Sequence, residues 1–357
     1  MKPWEDKIRR VTPYTPGEQP RLKNIIKLNT NENPYPPSPM VAKKLRELDT
    51  DVLRRYPDPN VSDLVSAIAN FYGIDNSQVF VGVGSDDVLA MIFLTFFSES
   101  GKPVFFPDIT YTFYDVWANL FKIPFERKAL NENFEICAED YYEANGGVIF
   151  PNPNAPTGTA VPLSFIEDVL EHNKDVIVVI DEAYVDFGAE SSLSLIDKYD
   201  NLLVVQTFSK SRQTAGLRIG YAMGNPELIS ALNAVKHSYN SYTMNYPSIV
   251  LGVATVNDRA YFEETTAKVI ATREAVKQEL TKLGYTFGDS RTNFIFARHA
   301  EFDAEEIFAF LREKAIIVRH FNAPRINNYL RISIGTDEEM AALVAALKEF
   351  EQQKKAD

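Results

Sequence analysis

The chain has 357 residues, of which 45% are hydrophobic and 24% charged, and these fractions are typical of a globular protein long enough for two domains. Its net charge of −12 argues against nucleic acid or an anionic membrane as a partner. One cysteine, Cys137, excludes an intrachain disulfide, and the scattered histidines form no metal-ligand motif, so we expect no metal. The longest apolar stretch, residues 88–97, is too short to span a bilayer, and we expect a cytoplasmic protein.

The first 39 residues are rich in proline and asparagine and show no periodicity. We predict an irregular arm, residues 1–39, that packs across a second subunit, because long ordered loops are usually functional. Helical spacing follows at residues 40–48 and 61–72. From Gln78 onward, apolar strands and helices alternate, which predicts a large α/β domain, residues 40–245, with a mostly parallel sheet. A long helical region reaching about Leu283 then opens a smaller α+β domain, residues 246–357.

A lysine follows the buried strand predicted at residues 202–205, within the stretch Thr207-Phe208-Ser209-Lys210. Its amine can attack a carbonyl to give a Schiff base once the site helps to remove its proton. Ser209 and Arg218 supply an oxygen donor and a fixed cation that suit a phosphate. We hypothesise that Lys210 carries pyridoxal 5′-phosphate (PLP). A single Ser-Lys pair more often lies in an exposed loop than at a cofactor site, so the hypothesis depends on the rest of the chain.

A carboxylate ends the fully apolar strand predicted at residues 175–180. Burying Asp181 there costs several kcal/mol unless a cation pairs with it, and a pyridinium nitrogen is such a cation. The pair would keep the ring of PLP protonated and make it an electron sink. Tyr184, three residues on, lies within reach of the phenolic oxygen of the ring. Taken alone, a helix cap or a salt bridge explains Asp181 equally well.

Further groups could hold anions. Ser85 and Asp86 follow a strand and open a helix, whose free N–H groups can seat a phosphate, although a plain tight turn is an equally good explanation. Arg331 lies in the strand predicted at residues 329–334 and could hold a carboxylate, and Arg319 could hold a second anion. Singly, each arginine is better explained as a surface cation.

Taken together, these residues resemble those of the fold-type-I PLP-dependent aminotransferases. Over nearly its full length the chain is similar to the histidinol-phosphate aminotransferase family. The matching stretches include Asn31-Glu32-Asn33-Pro34, Arg55-Tyr56-Pro57, Gly84-Ser85-Asp86, Pro153 to Gly158, Asp181-Glu182-Ala183-Tyr184, Ser209-Lys210, Ala215-Gly216-Leu217-Arg218 and Leu330-Arg331-Ile332-Ser333. The resemblance implies a large domain with a mostly parallel, seven-stranded sheet between helices, a smaller α+β domain, and a homodimer with shared active sites.

The resemblance also implies roles for the matching residues. Lys210 would bind PLP and then move a proton between the substrate and the cofactor, Asp181 would pair with the pyridine nitrogen, and Tyr184 would bond O3′. Other cofactor-binding residues would be Ser85, Asp86, Tyr111, Asn154, Thr207, Ser209, Arg218 and, from the second subunit, Tyr56. The substrate would be bound by Tyr14 of the second subunit's arm, Asn31, Arg319 and Arg331. The implied reaction is transamination between L-histidinol phosphate and 2-oxoglutarate in histidine biosynthesis.

The chain departs from the family pattern at two places. The family commonly has an asparagine immediately before Pro-Thr-Gly, bonded to O3′ of the cofactor, whereas this chain has Ala155 preceded by Asn154. Either Asn154 reaches O3′, or Tyr184 serves that oxygen alone. The second departure is the polar stretch at residues 211–214, directly after the lysine.

Other functions on the same scaffold stay open at this point. An aromatic amino-acid aminotransferase could use Tyr14, Tyr111 and Tyr242 to hold a phenyl ring. A PLP-dependent decarboxylase of a phosphorylated amino acid is a second alternative. A non-catalytic sensor domain of a regulator is a third, against which the charge of −12 argues.

Overall fold

The computed structural model describes residues 2–20 and 24–356. The helices are α1 (Pro39–Arg46), α2 (Ser62–Tyr72), α3 (Gly84–Ile92), α4 (Phe113–Phe121), α5 (Leu163–His172), α6 (Pro226–Tyr239), α7 (Tyr246–Asn257), α8 (Arg259–Lys282), α9 (Ala304–Glu313) and α10 (Asp337–Ala356). The strands are β1 (Ile26–Lys27), β2 (Val79–Gly82), β3 (Val104–Pro107), β4 (Phe125–Lys128), β5 (Val148–Pro151), β6 (Val178–Asp181), β7 (Leu202–Thr207), β8 (Gly220–Gly224), β9 (Tyr285–Phe287), β10 (Phe294–His299), β11 (Ile316–Ile317), β12 (Arg319–His320) and β13 (Leu330–Ser333).

The larger sheet has the strand order β2-β8-β7-β6-β5-β3-β4. Its pairs are parallel except those of β8, which runs antiparallel to both β2 and β7. Every residue of β6 and β7 is buried, because helices cover both faces of the sheet. Alternate residues of β6 enter different cores: Val178 and Ile180 pack towards α2 and α5, while Val179 packs towards α3 and α4. The predicted α/β class with a seven-stranded sheet is confirmed.

A second unit packs beside this sheet. Its four antiparallel strands have the order β12-β13-β10-β9, and α8, α9 and α10 supply most of the helical side of its core. The short strand β1 pairs in parallel with β11, and Leu28 is buried among the residues of this second core. Ile26 and Leu28, within the stretch predicted as an arm, therefore pack in the core of the second unit.

The long helical region predicted to reach Leu283 is two helices. It divides at Asp258, whose side chain accepts a hydrogen bond from the backbone of Tyr261 and so begins α8. The helix before the division, α7, packs on α1 and α2 through Leu251 and Val256, which places it with the larger sheet. A division between the domains at Asp258 therefore fits the packing better than the boundary expected after residue 245, and the domain limits stay a prediction.

None of the helices in the two described ranges combines the length and the hydropathy needed to cross a bilayer. Within the same ranges, no group of three or more His, Cys, Asp or Glu side chains is arranged to hold a metal ion.

We predict that Gly220→Ala distorts the junction between β8 and α3. A Cβ at Gly220 would lie 2.2 Å from the backbone nitrogen of Ser85 and 2.3 Å from the carbonyl carbon of Gly84, and neither backbone atom can move freely. We expect a loss of roughly 1–3 kcal/mol in the free energy of unfolding, measured by urea denaturation. Gly216→Ala is the matched control, because a Cβ there meets nothing within 4 Å. Equal unfolding curves for the two variants would contradict this interpretation.

Candidate active site

A cavity of about 600 Å³ lies between the two units, at the carboxyl ends of β6 and β7, and this volume is ordinary for a small-molecule site. The structure gathers most of the predicted residues around it. The predicted residues that line the cavity are Tyr14, Asn31, Ser85, Asp86, Tyr111, Asp181, Tyr184, Thr207, Ser209, Lys210, Arg218, Arg319 and Arg331. Two predicted residues, Asn154 and Tyr56, do not line it.

The amine of Lys210 faces this cavity from the turn that follows β7. Its Nζ donates one hydrogen bond, to the backbone oxygen of Thr30 at 3.2 Å, and lies 5.6 Å from the centroid of the Tyr184 ring. The backbone oxygen of Lys210 accepts from Nδ2 of Asn33 at 3.0 Å. The backbone is thus fixed while the amine has a single partner among the described residues, which suits a nucleophile that has to reach a substrate.

Asp181 ends β6 and is only 5% exposed. Its Oδ2 accepts a hydrogen bond from the hydroxyl of Tyr114 at 2.8 Å, and its Oδ1 accepts a longer one, 3.3 Å, from the backbone of Ala183. Burial raises the pKa of this carboxyl from 3.8 to about 6, because the two neutral donors offset the loss of water only in part. No Lys or Arg of the described residues forms an ion pair with it, so the site has room for a cationic group of a ligand.

An anion seat lies at the start of α3. Arg218 holds Asp86 there, with Nη2 at 3.0 Å from Oδ2, and the hydroxyl of Tyr111 donates to Oδ1 of Asp86 at 2.6 Å. Gly84 has φ +83°, and a Cβ at that residue would lie 2.4 Å from the guanidinium of Arg218. The glycine therefore lets the cation approach the free N–H groups of the helix, where a phosphate binds well.

Hydroxyl groups complete the seat. The backbone N–H of Ser209 and the side chains of Thr207 and Ser209 meet at the end of β7, where Thr207 Oγ1 donates to Ser209 Oγ at 3.0 Å. Burial, and next the carboxylate of Asp86, raise the pKa of Tyr111, so its hydroxyl stays a donor. The seat thus offers a guanidinium, hydroxyls and a helix N-terminus to one anion.

Two arginines from the second unit face the seat across the cavity. Arg331, in β13, donates through Nη2 to the backbone oxygen of Asn29 at 3.1 Å, while its buried Nε has no partner in the described structure. Burial lowers the pKa of this guanidinium. The guanidinium carbons of Arg319 and Arg331 each lie 5.5 Å from the centroid of the Phe321 ring, so both cations are close to the same aromatic residue. Such a pair suits ligands that carry two anionic groups.

Two predicted residues, Asn154 and Tyr14, are placed differently from the expectation. The amide of Asn154 is directed away from the cavity: Nδ2 donates to the backbone oxygen of Ile109 and to Thr157 Oγ1, each at 3.0 Å. Ala155 lines the cavity in its place. Tyr14, expected from the second subunit's arm, lies over the cavity of its own chain, with its ring stacked 4.2 Å from that of Phe113.

Tyr56 is expected to act from a second subunit. It is 80% exposed and stacks on Tyr242, with 4.6 Å between the ring centroids, and it does not line the cavity of its own chain. An exposed position is what a residue reaching into a second subunit requires, so its role stays a prediction.

Sequence reasoning gave no role to three residues that hold the site. Tyr114 bonds Asp181, Thr30 accepts from Lys210, and Ser333 bonds Asn31. Tyr114 could have been found from its closeness to Tyr111 along the chain, since it lies three residues further on and the two rings pack edge to face with 5.8 Å between their centroids. Thr30 and Ser333 gave no signal, since the first acts through its backbone and the second through a contact across 302 residues.

Comparison with known proteins agrees with this geometry. The family model for aminotransferase class I and II matches residues 23–347. The chain therefore belongs to the class I and II aminotransferase family, as the resemblance implied.

The chain is also similar to individual histidinol-phosphate aminotransferases. The chain is 54% identical to the histidinol-phosphate aminotransferase of Acinetobacter baumannii (strain AYE), over 98% of this chain and 97% of that protein. It is 53% identical to the protein of that name from Pseudomonas putida (strain W619), over 96% and 99%. Among solved structures, that of histidinol-phosphate aminotransferase from Sinorhizobium meliloti in complex with pyridoxal-5′-phosphate has a TM-score of 0.82 at 25% identity, covering 91% of this chain and 90% of that one.

We predict that Asp181 makes the ligand-free protein less stable as the pH rises. Its pKa is about 6 in the folded chain and 3.8 without burial, so the native state binds more protons between these values. The free energy of unfolding therefore falls across that window, by up to about 3 kcal/mol from this group. Asp181→Asn should remove the fall, so that its stability relative to wild type increases between pH 4 and pH 7 in urea denaturation. Asp175→Asn, at an exposed position, is the control. A relative stability of Asp181→Asn that does not change with pH would contradict the assignment.

Proposed function

We propose that this protein is a PLP-dependent transaminase that exchanges an amino group between L-histidinol phosphate and 2-oxoglutarate, a step of histidine biosynthesis. The observation that carries the proposal is the meeting, in one cavity, of the Lys210 amine, the buried Asp181 carboxylate and an anion seat, opposite two arginines. The names of relatives 52–54% identical over nearly the whole chain support the choice of substrate.

The residues of the cavity fit PLP. Asp181 offers the carboxylate that a protonated pyridine nitrogen needs, and the residues at the start of α3 and the end of β7 offer the phosphate seat. The residues that would hold the cofactor are Ser85, Asp86, Tyr111, Asp181, Tyr184, Thr207, Ser209, Lys210 and Arg218, with Tyr56 of a second subunit. When bound, PLP supplies an electron sink for the α-carbon of the substrate.

Three side chains of this protein would then have separate roles in the reaction. Lys210 Nζ, which bonds the backbone oxygen of Thr30 in this structure, would accept the proton from the substrate carbon and then return it on the cofactor side, so that one amine would act as base and then as acid. The buried carboxylate of Asp181 would stabilise the protonated pyridine nitrogen by charge pairing. The hydroxyl of Tyr184 would donate a hydrogen bond to the phenolic oxygen of the ring.

Arg319 and Arg331 determine which molecules bind. Histidinol phosphate carries one phosphate, and 2-oxoglutarate carries two carboxylates. The buried Nε of Arg331 lacks a partner until an anion arrives, so a ligand carboxylate or phosphate gains a charge-assisted bond there. Tyr14 lies over the same cavity and would keep water from the reacting atoms.

The aromatic amino-acid alternative is weakened by one contact. Tyr242 was expected to help hold a phenyl ring, but it is 46% exposed and stacks on Tyr56 outside the cavity. Of the three tyrosines, Tyr14 and Tyr111 line the cavity. The same cavity is lined by two arginine side chains, whose charges a phenyl ring does not need. No contact in the described structure favours the decarboxylase.

A homodimer is part of the proposal. Large apolar side chains are exposed on α1, in the segment after it and at the end of α6, and we propose that they form one face, because isolated exposed groups would not need a partner but a contiguous apolar face in water would. They are Met40, Leu45, Leu53, Tyr56, Tyr239 and Tyr242. A second subunit that covers this face would bring Tyr56 to the cofactor phosphate. We also propose that the protein acts in the cytoplasm, where a free cysteine such as Cys137 persists.

The substrate choice is tested with three amino donors: L-histidinol phosphate, L-phenylalanine and O-phospho-L-threonine. We expect kcat/KM with 2-oxoglutarate to be at least 100-fold higher for histidinol phosphate, because only this donor combines a phosphate with an amine that lacks a carboxylate. Lys210→Ala is the control and should lose both turnover and the visible absorption of bound PLP. Turnover of phenylalanine without turnover of histidinol phosphate would sink the proposal.

The shared site is tested with Tyr56→Phe. We expect the wild type to behave as a dimer of 40.4 kDa chains in light scattering, and Tyr56→Phe to stay dimeric but release PLP roughly tenfold more readily, for want of one hydrogen bond to a charged group. Tyr142→Phe, whose hydroxyl bonds Asp168 at the surface, should keep PLP as the wild type does. A fully active monomer would refute the shared site.

A further inference from the structure

Asn31 is a buried asparagine held from several sides at the wall of the cavity. It is 1% exposed, and its φ of +56° lies in the left-handed region, which asparagine tolerates better than most residues. Its backbone N–H donates to Ser333 Oγ and its backbone oxygen accepts from Asn293 Nδ2, each at 2.9 Å. Both partners belong to the second unit, since Ser333 ends the strand that carries Arg331 and Asn293 directly precedes β10, and together they fix the position of Asn31.

The contacts also fix which way the amide points. Ser333 Oγ accepts from the backbone N–H, so its own proton is free to go to Oδ1 of Asn31, at 3.0 Å. The amide oxygen is therefore on the Ser333 side and the NH₂ group on the other, where Nδ2 donates to the hydroxyl oxygen of Tyr184 at 2.9 Å.

This bond determines what Tyr184 can do. Its hydroxyl oxygen accepts from Asn31, so its own proton is left to donate, and no acceptor for that proton is found among the described residues. The ring is held from another side by Phe294, edge to face at 5.2 Å. The free proton therefore belongs to a hydroxyl group whose orientation is set by Asn31, at the wall of the cavity. A donor bonded to the oxygen also polarises the O–H group and makes it a stronger donor.

We propose that Asn31 is a positioning residue that holds Tyr184 as the donor to O3′ of PLP, and so does indirectly what the missing asparagine at Ala155 does directly in relatives. Ala155 lines the cavity without a side-chain donor, and the neighbouring Asn154 has its amide bonded to Ile109 and Thr157. Tyr184 is then the side chain left to bond O3′, which makes its orientation matter more. The inference rests on the proposed function, since it requires bound PLP.

A spectroscopic consequence follows. A donor to O3′ stabilises the negative charge on that oxygen and so favours the unprotonated form of the lysine-bound chromophore. Loss of Asn31 weakens the Tyr184 donor and should raise the apparent pKa of the visible absorption band. A residue that merely supports the fold would change the melting temperature without moving this titration.

The test is a pH titration of the visible spectrum of the holoenzyme, without substrate. We expect Asn31→Ala to raise the apparent pKa by about one unit, a tenfold change in the proton affinity of the chromophore, and Tyr184→Phe to raise it at least as much. The double variant Asn31→Ala/Tyr184→Phe should titrate like Tyr184→Phe alone, because Asn31 acts through Tyr184. A wild-type pKa for Asn31→Ala, or additive shifts in the double variant, would overturn the proposal.

Two further variants keep the test sharp. Asn173→Ala removes another buried asparagine, remote from the cavity, and should lower stability while leaving the titration unchanged. Ser333→Ala keeps the side chains of Asn31 and Tyr184 but removes both hydrogen bonds between Ser333 and Asn31, so the amide is held less firmly and the titration should shift in the same direction by a smaller amount. Should Asn31→Ala fail to fold, Ser333→Ala decides: an unchanged titration overturns the proposal.

Failure of this inference is distinguishable from failure of the proposed function. The titration uses bound cofactor and no substrate, so its outcome does not depend on whether histidinol phosphate is turned over. A wild type that titrates normally but ignores histidinol phosphate would end the proposed function and leave the role of Asn31 standing. If the wild type turns over histidinol phosphate but Asn31→Ala titrates like the wild type, the role of Asn31 would be refuted and the proposed function would stand.

Discussion

The site depends on a carboxylate that is buried without a cation. Asp181 ends β6 in the centre of the larger sheet, and burial raises its pKa to about 6 while Tyr114 and a backbone N–H are its only hydrogen-bond donors in the described structure. Burying such a carboxylate costs free energy in the ligand-free protein. The burial becomes favourable only when a ligand brings a positive charge. The pyridinium of PLP meets that requirement, and Lys210 lies where its amine can reach the same ligand.

Strand register gives these groups their common position. Asp181 pairs with Val205 of β7, so the chain needs only a few residues past the end of β7 to bring Lys210 to the same edge of the sheet. β8 runs back antiparallel from Gly220, next to the start of α3, which brings Arg218 to the anion seat. The second unit contributes β13 to the cavity, where Arg331 lines the wall and Ser333 bonds the amide of Asn31.

The sequence predicted the parts that depend on local chemistry. The buried strands β6 and β7 are largely apolar runs, and the polar residues Asp181 and Lys210, at or just after the ends of these strands, line the cavity. Strand β4, Phe-Glu-Arg-Lys, escaped prediction because it lies at the sheet edge and is half exposed. Whether Asn154 or Ala155 faces the cavity depends on the backbone conformation of the turn, which residue spacing does not give. The location of Tyr14 could not be inferred either, because the arm that carries it has no periodicity.

The most direct test of the account is a crystal structure of the protein grown with PLP. We expect continuous density from Lys210 Nζ to the cofactor, the pyridine nitrogen within about 3 Å of an oxygen of Asp181, and the phosphate at the start of α3 beside Arg218. A cofactor attached to a different lysine, or a ring turned so that Asp181 faces no nitrogen, would contradict the central claim.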